Sequence, residues 1–520
     1  MPNILALAHT KSLLEYLPDT ILSRMCSGKF SWLLTLFFGA LLPFSFAPFN
    51  TLSSAFSYLI IIPVSLFLYQ LLHTQSSKQA FYRGLIFGVG LFSIGVSWLY
   101  VAIHDFGAAH WSLAGVFTLL FILFLALYYA VFAWAVFTIR QKTIITHNRL
   151  VLFFLPVLWV FFEWLRSWLL TGFPWLLVGY PLLETPLSGF APIIGIYGLS
   201  LLVLISVSLL LAKIKPMVSL SSIVALLLCG AIFGMLQWST PQGEPLSVSL
   251  IQGNVNQGVK WSSWQLEKTK QLYVSLSQDH WQDSDLIVWP ENAIPVFYHT
   301  LANGFYHNLT LQAKKTHTEL ITGLPIFDDK TQAYYNAMIT LGGKEGHYYK
   351  THLVPFGEYV PLAALLRGLI QFFNLPMSGF SVGDTKQKPV TIKGHQAVVT
   401  LCYEDVFPQD IIANIPQSNF MVNLSNNGWY GDSLAPHQHL EMARMRALET
   451  GRELIRSTTS GISALINHKG DVLVKGPQFK QAVVKGTIQP RIGTTPYVVV
   501  GNYPIIILFI IMGLLIIKNK

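Results

Sequence analysis

Acidic side chains are nearly missing from the first 240 positions of this 520-residue sequence. Only Glu15, Asp19, Asp105, Glu163 and Glu184 occur there, so twenty of the twenty-five acids lie beyond. Charge is scarce throughout, at 11% against roughly 25% in soluble proteins, and 52% of the residues are hydrophobic. This excludes an ordinary soluble domain for the first half and divides the chain into a lipid-soluble part and a water-soluble C-terminal domain. Clusters of Lys and Arg interleaved with aromatics are also lacking, so the net charge of +9 does not point to nucleic acid. Residues 1–28 lack an apolar core followed by a small-residue cleavage site and are expected to form a short cytoplasmic segment. Cysteine is reduced to Cys26, Cys229 and Cys402, too few for a disulfide framework. Metal-ligand spacing is absent as well: His437 and His439 stand two apart at an expected helix start, where capping or packing suits them.

What is present, first, is long apolar runs. Stretches of roughly 17 to 25 apolar residues can cross a bilayer as helices. Such stretches are expected near 30–46, 54–73, 84–103, 112–138, 151–170, 189–212 and 217–237, with a last one over 503–517. Alternate flanks hold Lys11, Arg24, Lys29, Lys78, Arg83, Arg140, Lys142, Arg149, Lys213, Lys215, Lys518 and Lys520. The intervening short loops near 47–53, 104–111 and 171–188 hold no Lys or Arg. By the positive-inside rule the N-terminus is cytoplasmic and the soluble domain lies outside the cytoplasm. The expected organisation is a cytoplasmic segment over 1–28, a membrane domain over 29–237, an extracytoplasmic domain over 238–500 and a final span with a short tail over 501–520. Glu163 and Arg166 share a helical face within a span and are expected to pair, with a lipid-headgroup contact as the alternative. The loop Thr171–Trp175 reads as an interfacial aromatic anchor.

Topology gives one cysteine a special position. Cys402 is expected to stand alone in an oxidising compartment, where a thiol is buried or used. Around it, short β-rich runs (247–252, 285–289, 320–324, 337–341, 397–402, 420–424 and 464–467) alternate with helical stretches (262–280, 301–316 and 436–450). That alternation predicts an α/β layered domain. Trp289-Pro-Glu291 ends one apolar strand with a carboxylate, and Leu401-Cys402-Tyr403-Glu404 ends another with the lone thiol. Between them, Lys350-Thr-His-Leu-Val-Pro-Phe-Gly-Glu358 sets a lysine and a second acid around a turn. Strand ends of α/β sheets are where ligands usually bind. Taken singly, each stretch is commonly a solvated turn or a surface pair.

Together, in the order Glu, Lys, Glu, Cys, they resemble the nitrilase, or carbon–nitrogen hydrolase, superfamily. Within it the sequence is most similar to the apolipoprotein N-acyltransferases. The resemblance runs over essentially the whole chain. It is carried by Phe173-Pro-Trp175, Gln252-Gly-Asn254, Trp261, Trp289-Pro-Glu291, His352–Pro361, Leu375–Ser378, Cys402-Tyr-Glu404, Ser425–Trp429 and Met442–Ala447. Gly428 stands where other members can have alanine.

The resemblance implies an α-β-β-α sandwich on a multi-span helical membrane domain, set in a bacterial inner membrane with the catalytic domain periplasmic. It implies Cys402 as nucleophile, Glu291 as general base and Lys350 as the charge that stabilises the oxyanion. Glu358 would orient Lys350 or the incoming nucleophile, and Tyr403, Glu404 and Trp261 would support the site. The implied partners are a phospholipid acyl donor, a diacylglyceryl apolipoprotein acceptor and membrane lipids, with no metal or organic cofactor. The rival readings are a membrane-tethered nitrilase-type amidase and a transporter or lipid-binding scaffold with a degenerate outer domain. The segment 361–383, too apolar for an exposed loop and too short to span, is expected to form a mobile arm beside the site, an ordinary buried helix being the alternative.

Overall fold

The computed structural model describes residues 11–16, 18, 24–360 and 379–519, which divide into two compact units. One unit contains 24–97, 115–236 and 502–519; the other contains 98–114 and 237–360 with 379–501. Most of the expected arm, 361–378, lies outside the described residues.

In the first unit the apolar runs are helices. Among the described residues of the chain six helices are long and apolar enough to cross a membrane, seven if one bent pair is a single span, and Tyr503–Lys518 is a shorter apolar helix. They make the protein a multi-pass membrane protein. The third expected span, 84–103, needs correction at both ends. Its helix begins at Ser77, capped by Ser76, whose Oγ accepts from the Gln79 N–H at 3.1 Å. Hydropathy misses these first two turns or so because Lys78, Gln79 and Arg83 are polar. At its other end the helix stops at Gly95, where Val96 turns out of helical geometry (φ −125°, ψ 21°), short of the expected end at 103. Close helix packing uses glycine in place of side chains. A Cβ on Gly39 would collide with the Phe87 carbonyl, and one on Gly90 with that of Leu36, so these two helices approach backbone to backbone.

The second unit is a two-sheet sandwich. One six-stranded sheet runs Ala482–Ile488, Leu246–Gln252, Leu286–Val288, Glu319–Asp328, Ala333–Leu341, His347–Tyr349. The other runs Val472–Lys475, Ala464–Ile466, Leu454–Thr458, Phe420–Ser425, His395–Leu401, Val390–Ile392. Each sheet has three parallel strands at its heart. Their inner faces interlock through Val248, Leu250, Val288 and Ile321 from one sheet and Val399, Leu401, Val422 and Ile455 from the other, all buried. Helices Ser263–Ser277 and His307–Thr316 cover the outer face of the first sheet, and Ala435–Thr450 that of the second. The layers are therefore α-β-β-α. Leu454–Thr458 is a central strand that alternation does not reveal, because Arg456 interrupts its apolar pattern.

Candidate active site

The two sheets bring the three singled-out stretches together at their strand ends. Glu291 follows Leu286–Val288 and Lys350 follows His347–Tyr349, both from the first sheet; Cys402 follows His395–Leu401 of the second. All are buried, with Glu291 3%, Lys350 1%, Glu358 5% and Cys402 6% exposed. Lys350 Nζ lies 2.9 Å from Glu358 Oε1 and 3.3 Å from Glu291 Oε1. The amide of Asn336 donates to the same two oxygens, at 2.7 and 2.8 Å. Glu358 Oε2 accepts the Val354 N–H at 2.8 Å, which fixes the Pro/Gly turn around it.

These contacts set the protonation states. Burial pulls the Lys350 pKa down, but the charges of Glu291 and Glu358, then Cys402 and Glu404, outweigh it and hold it well above the ordinary lysine range. It is a fixed ammonium. Burial pushes the Cys402 thiol up to about 12 and the Glu291 charge adds to this, while Lys350, Ser425 and the Asn426 N–H pull the other way. At rest the sulfur is therefore protonated. Cys402 also occupies the left-handed region, with φ +49°. A non-glycine residue held there stores strain that its surroundings must over-determine.

Glu404 ties the two sides together. Its Oε1 accepts from the Tyr348 hydroxyl (3.0 Å), the Thr351 N–H and hydroxyl (2.6 and 2.8 Å) and the His352 N–H (3.1 Å). Its Oε2 accepts the Leu401 N–H at 2.7 Å. Burial raises its carboxyl pKa, against Lys350 and these donors. Tyr403 packs edge-on to Phe407, with ring centres 5.1 Å apart. Trp261 is half-buried, and the contact to Glu291 comes instead from its neighbour Lys260, whose Nζ donates to the Glu291 carbonyl at 3.4 Å. Burial lowers the Lys260 pKa to about 7, against the pull of Glu291.

Sequence reasoning missed Asn336 and Lys260. Asn336 sits at the edge of an apolar strand run, and Lys260 reads as an ordinary loop cation; a polar residue in a buried strand was the only available signal. Among the described residues no three His, Cys, Asp or Glu side chains gather where they could hold a metal ion. Glu163 and Arg166 do not pair in the structure as expected: Arg166 turns to backbone carbonyls, and Glu163 to an indole and a backbone N–H. Glu163 Oε1 accepts from the Trp159 indole and the Val178 N–H, each at 3.0 Å, while Arg166 donates to the carbonyls of Phe173 (2.9 Å) and Trp175 (2.6 Å). Unfulfilled backbone groups in the loop after the helix bind each charge more directly than they could bind each other.

A buried thiol, a fixed ammonium and two carboxylates within one cluster can support covalent acyl chemistry. Residues 38–209 match the apolipoprotein N-acyltransferase N-terminal domain, and 247–497 match the carbon–nitrogen hydrolase family. The chain is 38% identical to the apolipoprotein N-acyltransferase of Methylococcus capsulatus, covering 91% of this chain and 93% of that one. It is 38% identical to that of Coxiella burnetii, covering 93% and 99%. Among solved structures it is similar to Saccharomyces cerevisiae Nit3, of the nitrilase superfamily, at 17% identity and TM-score 0.37, covering 48% of this chain and 93% of that one. The chain belongs to the apolipoprotein N-acyltransferase family.

Proposed function

We propose that this protein moves an acyl chain from a phospholipid to the α-amine of the N-terminal diacylglyceryl-cysteine of lipoproteins, through a thioester on Cys402. The observation that carries the mechanism is the buried Lys350 ammonium, shared by Glu291 and Glu358 in a cluster with a protonated thiol. Because the resting sulfur holds its proton, attack on the ester carbonyl requires a base. Glu291 takes the proton as the C–S bond forms, and Lys350 faces the charge developing on the carbonyl oxygen. When the tetrahedral intermediate collapses, Glu291 returns that proton to the departing glyceryl oxygen, and a lysophospholipid leaves. The lipoprotein amine then attacks the thioester. Glu291 accepts a proton from the amine, the amide forms, and the proton passes to the released sulfur. Glu358 holds Lys350 in place throughout.

The Lys/Arg distribution supports a periplasmic location for the sandwich in the inner membrane. A reporter fused after Lys215 is expected to be cytoplasmic and one after Gly243 extracytoplasmic; a cytoplasmic signal from the second would reverse the orientation. The membrane-tethered amidase shares the cluster but gives no account of the many spans, since one would anchor it. Intact-mass measurement separates the two. Incubation with phospholipid is expected to add one acyl group, labile to neutral hydroxylamine and absent in Cys402→Ser. Free fatty acid released at full rate, unaffected by a lipopeptide amine, would establish hydrolysis instead.

A further inference from the structure

Behind Cys402 lies a second buried charge cluster that the reaction as written does not use. Asp405, three residues after the thiol, places Oδ1 2.6 Å from His439 Nε2 and accepts from Arg456 Nη1 on Oδ2 at 2.8 Å. Arg456 Nη2 also donates to Asn427 Oδ1 at 3.3 Å, and Asn427 Nδ2 stands 3.1 Å from His439 Nδ1. Asp405, His439, Asn427 and Arg456 thus close a ring of side chains, each 1% exposed. The ring fixes its own protonation. With Asn427 Oδ1 taken by the guanidinium, its amide nitrogen must face the imidazole, so Nδ1 accepts and the single ring proton sits on Nε2, donated to Asp405. Burial and then the Arg456 charge lower the His439 pKa, against the Asp405 carboxylate and a hydrogen bond to the Cys402 backbone, consistent with a neutral imidazole. One anion, one cation and one neutral histidine leave no net charge in the interior.

Besides the His439 hydrogen bond to the Cys402 backbone, two arms lead from this ring to Cys402. Arg456 Nη1 donates to Asn423 Oδ1 at 2.7 Å, which turns the Asn423 amide so that Nδ2 donates to the Cys402 carbonyl at 3.3 Å. The second arm follows the strand register. Leu401 pairs with Leu424 on the neighbouring parallel strand, so Cys402 and Ser425 emerge side by side at the strand ends. The Ser425 hydroxyl donates to Asn427 Oδ1 at 3.3 Å. That oxygen is already served by Arg456, so the single hydroxyl proton can turn to the sulfur as its negative charge develops.

We propose that Asp405, His439, Asn427 and Arg456 form a positioning ring for the Cys402 nucleophile, holding its strained backbone through Asn423 and supplying a donor to its sulfur through Ser425. The proposal rests on the reading of Cys402 as nucleophile. It accounts for how a left-handed cysteine stays in one conformation, since the ring is closed and buried and cannot yield one bond without disturbing the next.

The test uses the full-length protein in detergent and two readouts. The first is the pH profile of iodoacetamide alkylation at the Cys402 peptide, which needs no acyl transfer. The second is the rate of thioester formation at varied phospholipid concentration. His439→Leu opens the ring and is expected to slow alkylation near neutral pH at least tenfold, moving its midpoint to higher pH. Thioester formation at saturating lipid is expected to fall at least tenfold, with the half-saturating concentration within twofold of the parent. His439→Gln, whose amide can donate to Asp405 and accept from Asn427, is expected to recover to within threefold. Ser425→Ala leaves the ring closed and is expected to slow both readouts three- to tenfold. The proposal is overturned if His439→Leu keeps the parent profile, or if Leu and Gln at 439 are equally impaired, which would make the histidine a packing element. Should His439→Leu not fold, an unchanged alkylation profile in Ser425→Ala overturns it. A parent protein that alkylates normally yet forms no thioester would fail the nucleophile reading and leave the ring's effect on the thiol measurable.

Discussion

Buried cations in the helical unit are held by neutral oxygens, whereas those around the Lys350–Cys402 cluster are held by carboxylates. Arg166 donates to the carbonyls of Phe173 and Trp175, and Arg83 to the hydroxyls of Thr35 and Ser31 at 3.3 Å each. Lys350 lies between Glu291 and Glu358, and Arg456 against Asp405. A carbonyl cannot change its charge, so a cation held by carbonyls acts as a bracket and keeps its surroundings fixed. A carboxylate can gain a proton, so a cation held by carboxylates governs where protons go. Lys260 crosses this division: it sits in the sandwich, yet its one hydrogen bond is to the Glu291 carbonyl.

The comparison breaks most visibly at Lys350. In Lys350→Met, Glu291 and Glu358 keep the shared Asn336 amide but lose the cation between them. Thioester formation is expected to fall by about 10³-fold, as for loss of an oxyanion donor, and stability by about 3–5 kcal/mol, as for a broken buried pair. Intact-mass kinetics and thermal melts measure the two effects, and a rate within tenfold of the parent would remove Lys350 from the chemistry.

Lys260 sharpens the comparison through pH. Its folded pKa, about 7, lies below the unfolded value, so between pH 7 and about 10 the unfolded chain binds more protons than the folded one. Stability is therefore expected to rise across that window, by at most about 1.4 kcal/mol per pH unit, and to be lost as pH falls through 7. Lys260→Met should flatten the slope of the melting midpoint against pH. An identical slope in the variant would show that the amine is not the group responsible.

The smallest effect is expected in the helical unit. Glu163→Gln keeps an acceptor oxygen for Trp159 and Val178, so stability should change by no more than about 1 kcal/mol and thioester formation by less than twofold. A large loss would mean that the charge of Glu163, and not its oxygen, matters.

The sequence makes the two-part architecture and the cluster's own members legible because both are written locally. Apolar runs mark spans, and Glu291, Lys350 and Cys402 each end a strand with a distinctive neighbourhood. What escapes is whatever a distant segment supplies. Asn336 touches Glu291 and Glu358 across 45 and 22 positions. Arg456 reaches Asp405 across 51, from a strand whose pattern it disrupts. Glu163 and Arg166 misled for the converse reason: helical spacing shows that two charges could meet, and says nothing of the loop carbonyls and N–H groups competing for them.

Glu404 has a mechanical consequence. The thiol belongs to one sheet and Glu291 and Lys350 to the other, and the sheets meet largely through apolar side chains, which attract without preferred direction. Glu404 holds Leu401 of the second sheet, and Tyr348 of the first with Thr351 and His352 just beyond it, on a single carboxylate. It acts as a dowel against shear. Sliding would have to break several charge-assisted bonds at once, so thermal sway of the layers is carried by thiol and ammonium together and their separation is preserved.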